Sequence, residues 1–344
     1  MRRTVFALSI LLAAAATACS SSDKPGVHGP TGPGTVVPEE KLSADATWGE
    51  GKTLAGSIIV ETGVTVTVAA GAHIKVADGA TITVKGTLKS PGGAPAFINA
   101  ESDTANWGGI IVAPGGTLAL KSVHLENAEV ALLVQAGAKS ATYDAGIISD
   151  AHVPFQVDAK GKLSMTDAKV LRPTGTSQVE GSYVASHLDY DSNANDGIRT
   201  MSDDATLSID DSTMHGQRGT GDMIASYDGA ATIHVAYTNF TMVHCAFHLL
   251  RVTNLDISNV TSDGNIYGLM LHGSLEGGTK TVKNMNIIGS IEWGVHELDD
   301  AQNAAISFTG TYFNGNRNGD LYLKTGTAIA VTNNATTKNQ TDPR

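Results

Sequence analysis

Cysteine, aromatic residues and basic residues are all scarce in this sequence of 344 residues. Its two cysteines, Cys19 and Cys245, exclude the multi-disulfide framework that stabilises many small secreted domains. Aromatic residues make up 5% of the chain and do not mark out repeats of propeller-blade length, which argues against a β-propeller. The chain has 23 basic and 34 acidic residues and a net charge of −11. Because phosphate binding needs a basic face, no nucleic-acid partner is expected.

A hydrophobic run long enough to cross a membrane is missing from the N-terminus. The apolar stretch Val5–Leu12 is too short to span a bilayer. Arg2 and Arg3 precede it and small residues follow it, so residues 1–18 are predicted to be an export signal.

The end of this signal, Ala16-Thr17-Ala18-Cys19, resembles the lipobox of bacterial lipoproteins. That resemblance implies cleavage before Cys19, a diacylglyceryl thioether on Cys19 and an acyl chain such as palmitate on the new amine. The lipid would attach the protein to a membrane, and Ser20 is by analogy typical of an outer membrane lipoprotein. The same residues also form an ordinary signal-peptidase site, so simple secretion remains the alternative.

Composition divides the rest of the chain into three parts. Residues 19–45 are rich in proline and glycine, contain no aromatic residue and are predicted to be a flexible, lipidated tether. Residues 46–331 are predicted to fold, and the polar residues 332–344 are predicted to be a disordered tail.

A short pattern recurs through the folded part at intervals of roughly twenty to thirty residues, which indicates a solenoid. It reads apolar, any, apolar, any, then a small turn-forming residue, as in Leu163–Asp167, Leu207–Asp211, Leu255–Asn259, Met285–Gly289 and Ile306–Gly310. Period-two alternation between glycine turns predicts short β-strands. The last residue of each pattern, which Tyr237 supplies in one repeat, is predicted to be a coil corner with positive φ. Tyr237 does not suit that position and is expected to mark a different bend.

Three segments, Gly63–Gly86, Asn106–Val112 and Leu125–Ala128, are similar to bacterial right-handed parallel β-helix proteins, the superfamily that includes pectate lyases and polygalacturonases. The resemblance implies an all-β, single-stranded, right-handed parallel β-helix. Many members of that superfamily act on polysaccharide or attach to it. The catalytic signatures of its lyases and hydrolases are not recognisable here, so no catalytic residue is assigned.

One outward face of the predicted helix is unusually apolar and rich in histidine. It is predicted to be a docking or glycan-contacting face, and the alternative is that a loop or the tether covers it. Its histidines belong to different coils and include no close pair, so they do not indicate a metal site. The candidate binding residues are His248, Met270, His272, His296 and Tyr322.

A polar segment within residues 172–200, read as the longest interruption between coils, offers a candidate calcium site. Asp189, Asp191, Asn193 and Asn195 alternate like the oxygen ligands of a calcium loop. A solvated polar loop is the alternative. No other cofactor is expected.

Two further residues stand in apolar surroundings. Cys245 is predicted to be a buried, inert thiol. Glu297 falls at an inward position, where a bulge that turns it outward is favoured over a buried carboxylate.

Three functions follow from these observations. A lipid-anchored cell-envelope β-helix that binds or scaffolds a glycan or a protein at the cell surface is favoured, because the basic residues are scattered and most turns are short. A polysaccharide lyase or glycoside hydrolase on the same fold is one alternative. A subunit of an envelope complex is the other.

Overall fold

A computed structural model describes residues 37–102, 104–217, 219–271, 278–298, 306–322 and 330–332. All the described strands belong to one compact unit, Thr35–Arg344. The predicted signal, Cys19 and most of the predicted tether and tail lie outside the described residues, as does His272. Within the described ranges, no helix has the length and hydrophobicity needed to cross a bilayer.

The described residues form 38 short strands separated by turns. In chain order the strands are β1 Glu39–Leu42, β2 Ala46–Trp48, β3 Lys52–Leu54, β4 Ser57–Val60, β5 Thr65–Val68, β6 His73–Val76, β7 Thr81–Val84, β8 Thr87–Lys89, β9 Ala96–Ala100, β10 Gly109–Val112, β11 Thr117–Lys121, β12 Val123–Glu126, β13 Val130–Val134, β14 Ser140–Asp144, β15 Ile147–Ser149, β16 Val153–Val157, β17 Lys162–Thr166, β18 Lys169–Leu171, β19 Ser177–Val179, β20 Ser182–Ser186, β21 Asp189–Asp191, β22 Ile198–Thr200, β23 Thr206–Asp210, β24 Thr213–His215, β25 Asp222–Ser226, β26 Ala231–Ala236, β27 Asn239–Thr241, β28 Cys245–Leu249, β29 Val252–Ser258, β30 Thr261–Asp263, β31 Tyr267–Leu271, β32 Lys280–Lys283, β33 Asn286–Ile288, β34 Trp293–Glu297, β35 Ser307–Thr309, β36 Tyr312–Asn314, β37 Gly319–Tyr322 and β38 Ala330–Thr332.

Every third strand belongs to the same sheet, so the chain winds through three parallel sheets in turn. Sheet A contains 13 strands from β1 to β37, sheet B contains 13 from β2 to β38, and sheet C contains 12 from β3 to β36. This is the predicted parallel β-helix. Like residues stack from coil to coil, as in Leu207, Ile233 and Leu255, which are register partners and are buried. Each such side chain contributes about 1.5–3 kcal/mol when buried.

The predicted coil corner exists, with one error of register. Asp167, Asp211, Asn259 and Gly310 all have positive φ, between 42° and 65°. Tyr237, expected to bend differently, has φ 48° and occupies the same corner.

Met285 and Gly289, by contrast, were assigned to the wrong column. The equivalent corner residue is Asn284, with φ 51°, which donates its backbone N–H to Thr309 as Asn259 does to Lys283. Gly289 also has positive φ, 62°, but lies at the next corner, after β33. The two corners fit the same local pattern, and only strand pairing distinguishes them.

The β-helix begins before residue 46. Strand β1 lies within the segment predicted to be a tether and pairs in parallel with β4, from Glu39 and Ser57 to Leu42 and Val60. This pairing supplies backbone hydrogen bonds that the composition of the segment does not reveal.

The segment 172–200 is not a long interruption either. It contains four strands, β19 to β22, that continue the three sheets in register. The coil is regular because its inward residues Val179, Tyr183 and Tyr190 are buried although the sequence around them is polar.

The core also contains two tyrosines, Tyr143 and Tyr183, whose hydroxyl groups have different hydrogen-bond partners. Tyr143 is buried, and its hydroxyl lies 2.5 Å from the carbonyl of Val123 and 2.8 Å from that of Ile147. Tyr183 stacks on Phe155 with ring centroids 4.4 Å apart, and its hydroxyl contacts only the sulfur of Met165, at 3.4 Å, among the described hydrogen-bond partners.

Candidate functional site

Four of the five predicted binding residues form one outward column of sheet A, and the fifth, His272, lies outside the described residues. His248, Met270, His296 and Tyr322 are successive register partners on β28, β31, β34 and β37. The strand pairing thus aligns these four residues as predicted, but their exposure is uneven. His248 and Met270 are buried, His296 is half-buried and Tyr322 is 43% exposed.

Five rings lie in consecutive contact on this face of sheet A, and we call them the aromatic row. From one end to the other, the centroids are 5.4, 5.1, 5.0 and 5.2 Å apart. The Tyr267 and His296 rings are nearly parallel, at 26°. The members, in order of contact, are His244, Tyr267, His296, Tyr322 and Trp293.

Glycines position two of these rings. Gly268 follows Tyr267, and a Cβ at Gly268 would lie 2.6 Å from the carbonyl oxygen of Gly294 and 2.6 Å from a methyl group of Ile287. Gly294 follows Trp293, and a Cβ at Gly294 would lie 2.7 Å from the carbonyl oxygen of Asp320 and 3.1 Å from the ring of Phe313. Strands β31 and β34 therefore each begin with a large aromatic ring, and the glycine that follows it has no side chain to clash with the adjacent turn.

A buried carboxylate lies at the His244 end of the row. Asp222 begins β25 and is 5% exposed. We call Asp222 and the three side chains that contact it, those of His244, His248 and Tyr227, the Asp222 cluster. Nδ1 of His244 is 2.9 Å from Oδ1, Nδ1 of His248 is 2.5 Å from Oδ2, and the hydroxyl of Tyr227 donates to Oδ2 at 2.7 Å.

Charge in this cluster is fixed by its surroundings. Burial raises the pKa of Asp222, but the hydrogen bonds from His244 and His248 outweigh it and hold that pKa well below its ordinary value. Burial, and then the charges of Asp222 and Asp196, raise the pKa of Tyr227. The carboxylate therefore accepts hydrogen bonds, and Tyr227 stays protonated as a donor.

A second ion pair supports the cluster from the preceding coil. Arg199 contacts Asp196 at 2.6 Å and lies 4.6 Å from the centre of the Tyr227 ring. Asp196 also accepts the backbone N–H of Asp222 at 2.8 Å. Position and orientation of Asp222 are therefore set by strand pairing and by a neighbouring carboxylate.

Cys245 adds a sulfur atom beside this cluster. It is fully buried, as predicted, and its Sγ lies 3.3 Å from Nδ1 of His244. Ligand atoms of Asp222, His244 and Cys245 all lie within 4.8 Å of one another, the one such group of metal-ligating side chains in the described part of the chain.

The sequence did not reveal most of these residues. These residues lie at the first position of a strand or directly outside one, where inward and outward positions do not simply alternate. They are Asp222, Tyr267 and Trp293 at strand starts, His244 before β28 and Tyr227 after β25. Asp222 and Cys245 are register partners, and a correct coil length between them would have placed the two residues side by side from the sequence.

The four predicted calcium ligands lie on β21 and in the turn after it. Asp189 contacts Lys169 at 3.0 Å, and Asp191 accepts the backbone N–H of Asn193 at 2.8 Å. The side-chain amides of Asn193 and Asn195 both donate to the carbonyl of Pro173, at 3.4 and 3.3 Å. Protein groups thus occupy these polar atoms, and the calcium site stays a prediction.

Glu297 faces inward, so the outward bulge favoured from the sequence is wrong. It is fully buried and is the register partner of Leu271, without an irregularity between β31 and β34.

No family model and no curated protein matches the sequence. Among solved structures, the chain is similar to the catalytic domain of a GH87 alpha-1,3-glucanase in complex with nigerose, with 10% identity, a TM-score of 0.47, and coverage of 87% of this chain and 63% of that one. The catalytic unit of the thermostable GH87 alpha-1,3-glucanase from Streptomyces thermodiastaticus strain HF3-3 gives 10% identity, a TM-score of 0.43, and coverage of 81% and 63%.

A third similar structure is the A-module of the Azotobacter vinelandii mannuronan C-5 epimerase AlgE6, with 14% identity, a TM-score of 0.37, and coverage of 88% of this chain and 90% of that one. The chain spans 63% of the length of the two glucanase domains. Similarity at this level carries no argument about activity, and the fold rests on the strand order of this chain.

Proposed function

We propose that the protein is a lipid-anchored β-helix of the cell envelope that binds a neutral polysaccharide along its aromatic row. The observation that carries the proposal is the row of five contacting rings on one face of sheet A. The C–H faces of sugar rings pack against aromatic rings, and a row of rings presents several such surfaces at fixed spacing.

Charge favours a neutral glycan over an acidic one. The row contains no lysine or arginine, and the neighbouring residues Glu292 and Asp320 are acidic. The whole chain carries a net charge of −11. A polyuronate would be repelled at this surface unless cations intervened.

The Asp222 cluster does not favour a glycosidase over a binding protein. A general acid of that class needs a carboxyl group with a raised pKa, and the pKa of Asp222 is lowered. Its oxygens are already engaged by His244, His248 and Tyr227. A lyase or hydrolase, and a subunit of an envelope complex, remain the alternatives.

Binding to neutral glucans and to polyuronates, measured by calorimetry or affinity electrophoresis, tests the proposal. Tyr322→Ala should weaken binding to a neutral glucan about tenfold, the equivalent of roughly 1.4 kcal/mol. The matched control is Tyr237→Ala, because Tyr237 is also 43% exposed and lies at a corner rather than in the row.

Equal loss of binding in both variants, or no binding of any glucan, would contradict the role of the row. Release of reducing ends or of unsaturated uronate by the wild-type protein would favour the enzymatic alternative.

The proposed anchor has its own test. Cys19→Ser should move the protein from the membrane fraction to the soluble fraction, and mass spectrometry of the wild type should find a diacylglyceryl group on Cys19. An N-terminus cleaved at the same place without lipid would support simple secretion instead.

A further inference from the structure

We propose that Asp222, His244 and Cys245 form a binding site for a zinc-type divalent metal ion. No glycan is needed for this inference, and of its three residues only His244 also belongs to the aromatic row.

The geometry of the three ligand atoms fits a small tetrahedral ion. Oδ1 of Asp222 lies 2.9 Å from Nδ1 of His244, which lies 3.3 Å from Sγ of Cys245, and all three atoms are within 4.8 Å of one another. Zinc bond lengths place neighbouring tetrahedral ligands about 3.4–3.6 Å apart. The separations of Nδ1 of His244 from Oδ1 of Asp222 and from Sγ of Cys245 would each have to lengthen by only about 0.2–0.5 Å to reach that range.

Strand pairing holds the ligands in place. Asp222 and Cys245 are register partners on β25 and β28, and His244 immediately precedes β28. A site built on paired strands is more precise than one built on mobile loops.

The other carboxylate oxygen already has the partners that a metal-binding carboxylate requires. His248 lies 2.5 Å and the hydroxyl of Tyr227 2.7 Å from Oδ2 of Asp222. Such hydrogen bonds orient a ligand and tune its affinity for the ion. Asp222 would therefore bind the metal through Oδ1 while Oδ2 keeps its present contacts.

The donor atoms select the ion. Calcium and magnesium prefer sets made entirely of oxygen, whereas one thiolate, one imidazole nitrogen and one carboxylate oxygen suit zinc. On binding, the thiol proton of Cys245 would pass to water, and His244 would bind the ion through Nδ1 while Nε2 carries its proton. Three protein ligands leave the fourth position for water.

The experiment uses full-length protein without a histidine tag. After addition of Zn²⁺ and dialysis, elemental analysis should find one zinc ion per chain, and cobalt substitution should give the near-ultraviolet absorption of a sulfur–cobalt bond. Cys245→Ser should abolish that absorption and weaken zinc binding at least tenfold, and His244→Ala should weaken zinc binding by a similar factor.

His187→Ala is the matched control. His187 also lies between two carboxylates, with Asp167 at 2.9 Å and Asp211 at 3.4 Å, but at an exposed corner without a thiol. Circular dichroism establishes that each variant is folded. Absence of zinc from the folded wild type, or zinc binding that Cys245→Ser leaves unchanged, would overturn the proposal.

Discussion

Asp222 and His248 lie on neighbouring strands of sheet A with Nδ1 of the histidine 2.5 Å from Oδ2 of the carboxylate, and both side chains are buried. A charge in such a position is tolerated only when it is paired, because transfer from water into the protein is costly. The same two residues therefore stabilise the fold and determine the chemistry of the cluster.

Removing this carboxylate should destabilise the protein strongly. Asp222→Ala removes the buried carboxylate that His244, His248 and Tyr227 all contact and should lower the free energy of unfolding by about 3 kcal/mol. Asp210→Ala removes an exposed carboxylate at the end of β23 and should change it by less than about 0.5 kcal/mol. Urea titration followed by circular dichroism compares the two, and similar midpoints would contradict the role of the cluster.

The stability that Asp222 supplies should depend on pH in acid. Because its pKa is lower in the folded than in the unfolded protein, the unfolded state takes up protons first as the pH falls below about 4. The contribution is therefore full above that pH and declines below it. The difference in urea midpoint between wild type and Asp222→Asn should shrink from pH 6 to pH 3, and a constant difference would argue against the ionised carboxylate.

Two buried tyrosines should respond differently to loss of the hydroxyl. Tyr143→Phe removes the donor to the carbonyls of Val123 and Ile147 and should cost about 1–2 kcal/mol. Tyr183→Phe removes only a weak contact with the sulfur of Met165 and should cost less than about 0.5 kcal/mol. Thermal unfolding of both variants measures the difference. The comparison is matched because the two tyrosines are equally buried.

The coil corner should prefer residues that tolerate positive φ. Tyr237 has φ 48°, and Tyr237→Asn should raise the free energy of unfolding by about 1 kcal/mol. Gly289→Ala, at φ 62°, has room for its methyl group but should lose about 1 kcal/mol to backbone strain. Opposite signs in the two variants are the expected result, and destabilisation by Tyr237→Asn would indicate that the ring makes a contact worth more than the strain.

The sequence was sufficient where chemistry is local. Alternation of period two predicted that Leu207, Ile233 and Leu255 face inward. Tolerance of positive φ predicted the coil corner at Asp167, Asp211 and Asn259. Both properties depend only on a residue and its immediate neighbours. The stacked column that ends in Tyr322 followed from the same rule.

The rest depended on contacts between coils. His244 and His248 are 22 and 26 residues from Asp222, so the cluster exists only if the coil between them has the right length. An error of that kind also placed Gly289 in the column of Asn284. Strand β1 was missed because its stability comes from β4 rather than from its own composition.

The stacking of equivalent turns makes the number of turns independent of the contacts within the Asp222 cluster. Each described strand pairs only with the equivalent strands of the adjacent turns, so contacts between two neighbouring turns do not depend on how many turns lie beyond them. A whole turn inserted or removed between β4 and β12 should therefore change the number of turns and leave the mutual positions of the residues around Asp222 unchanged.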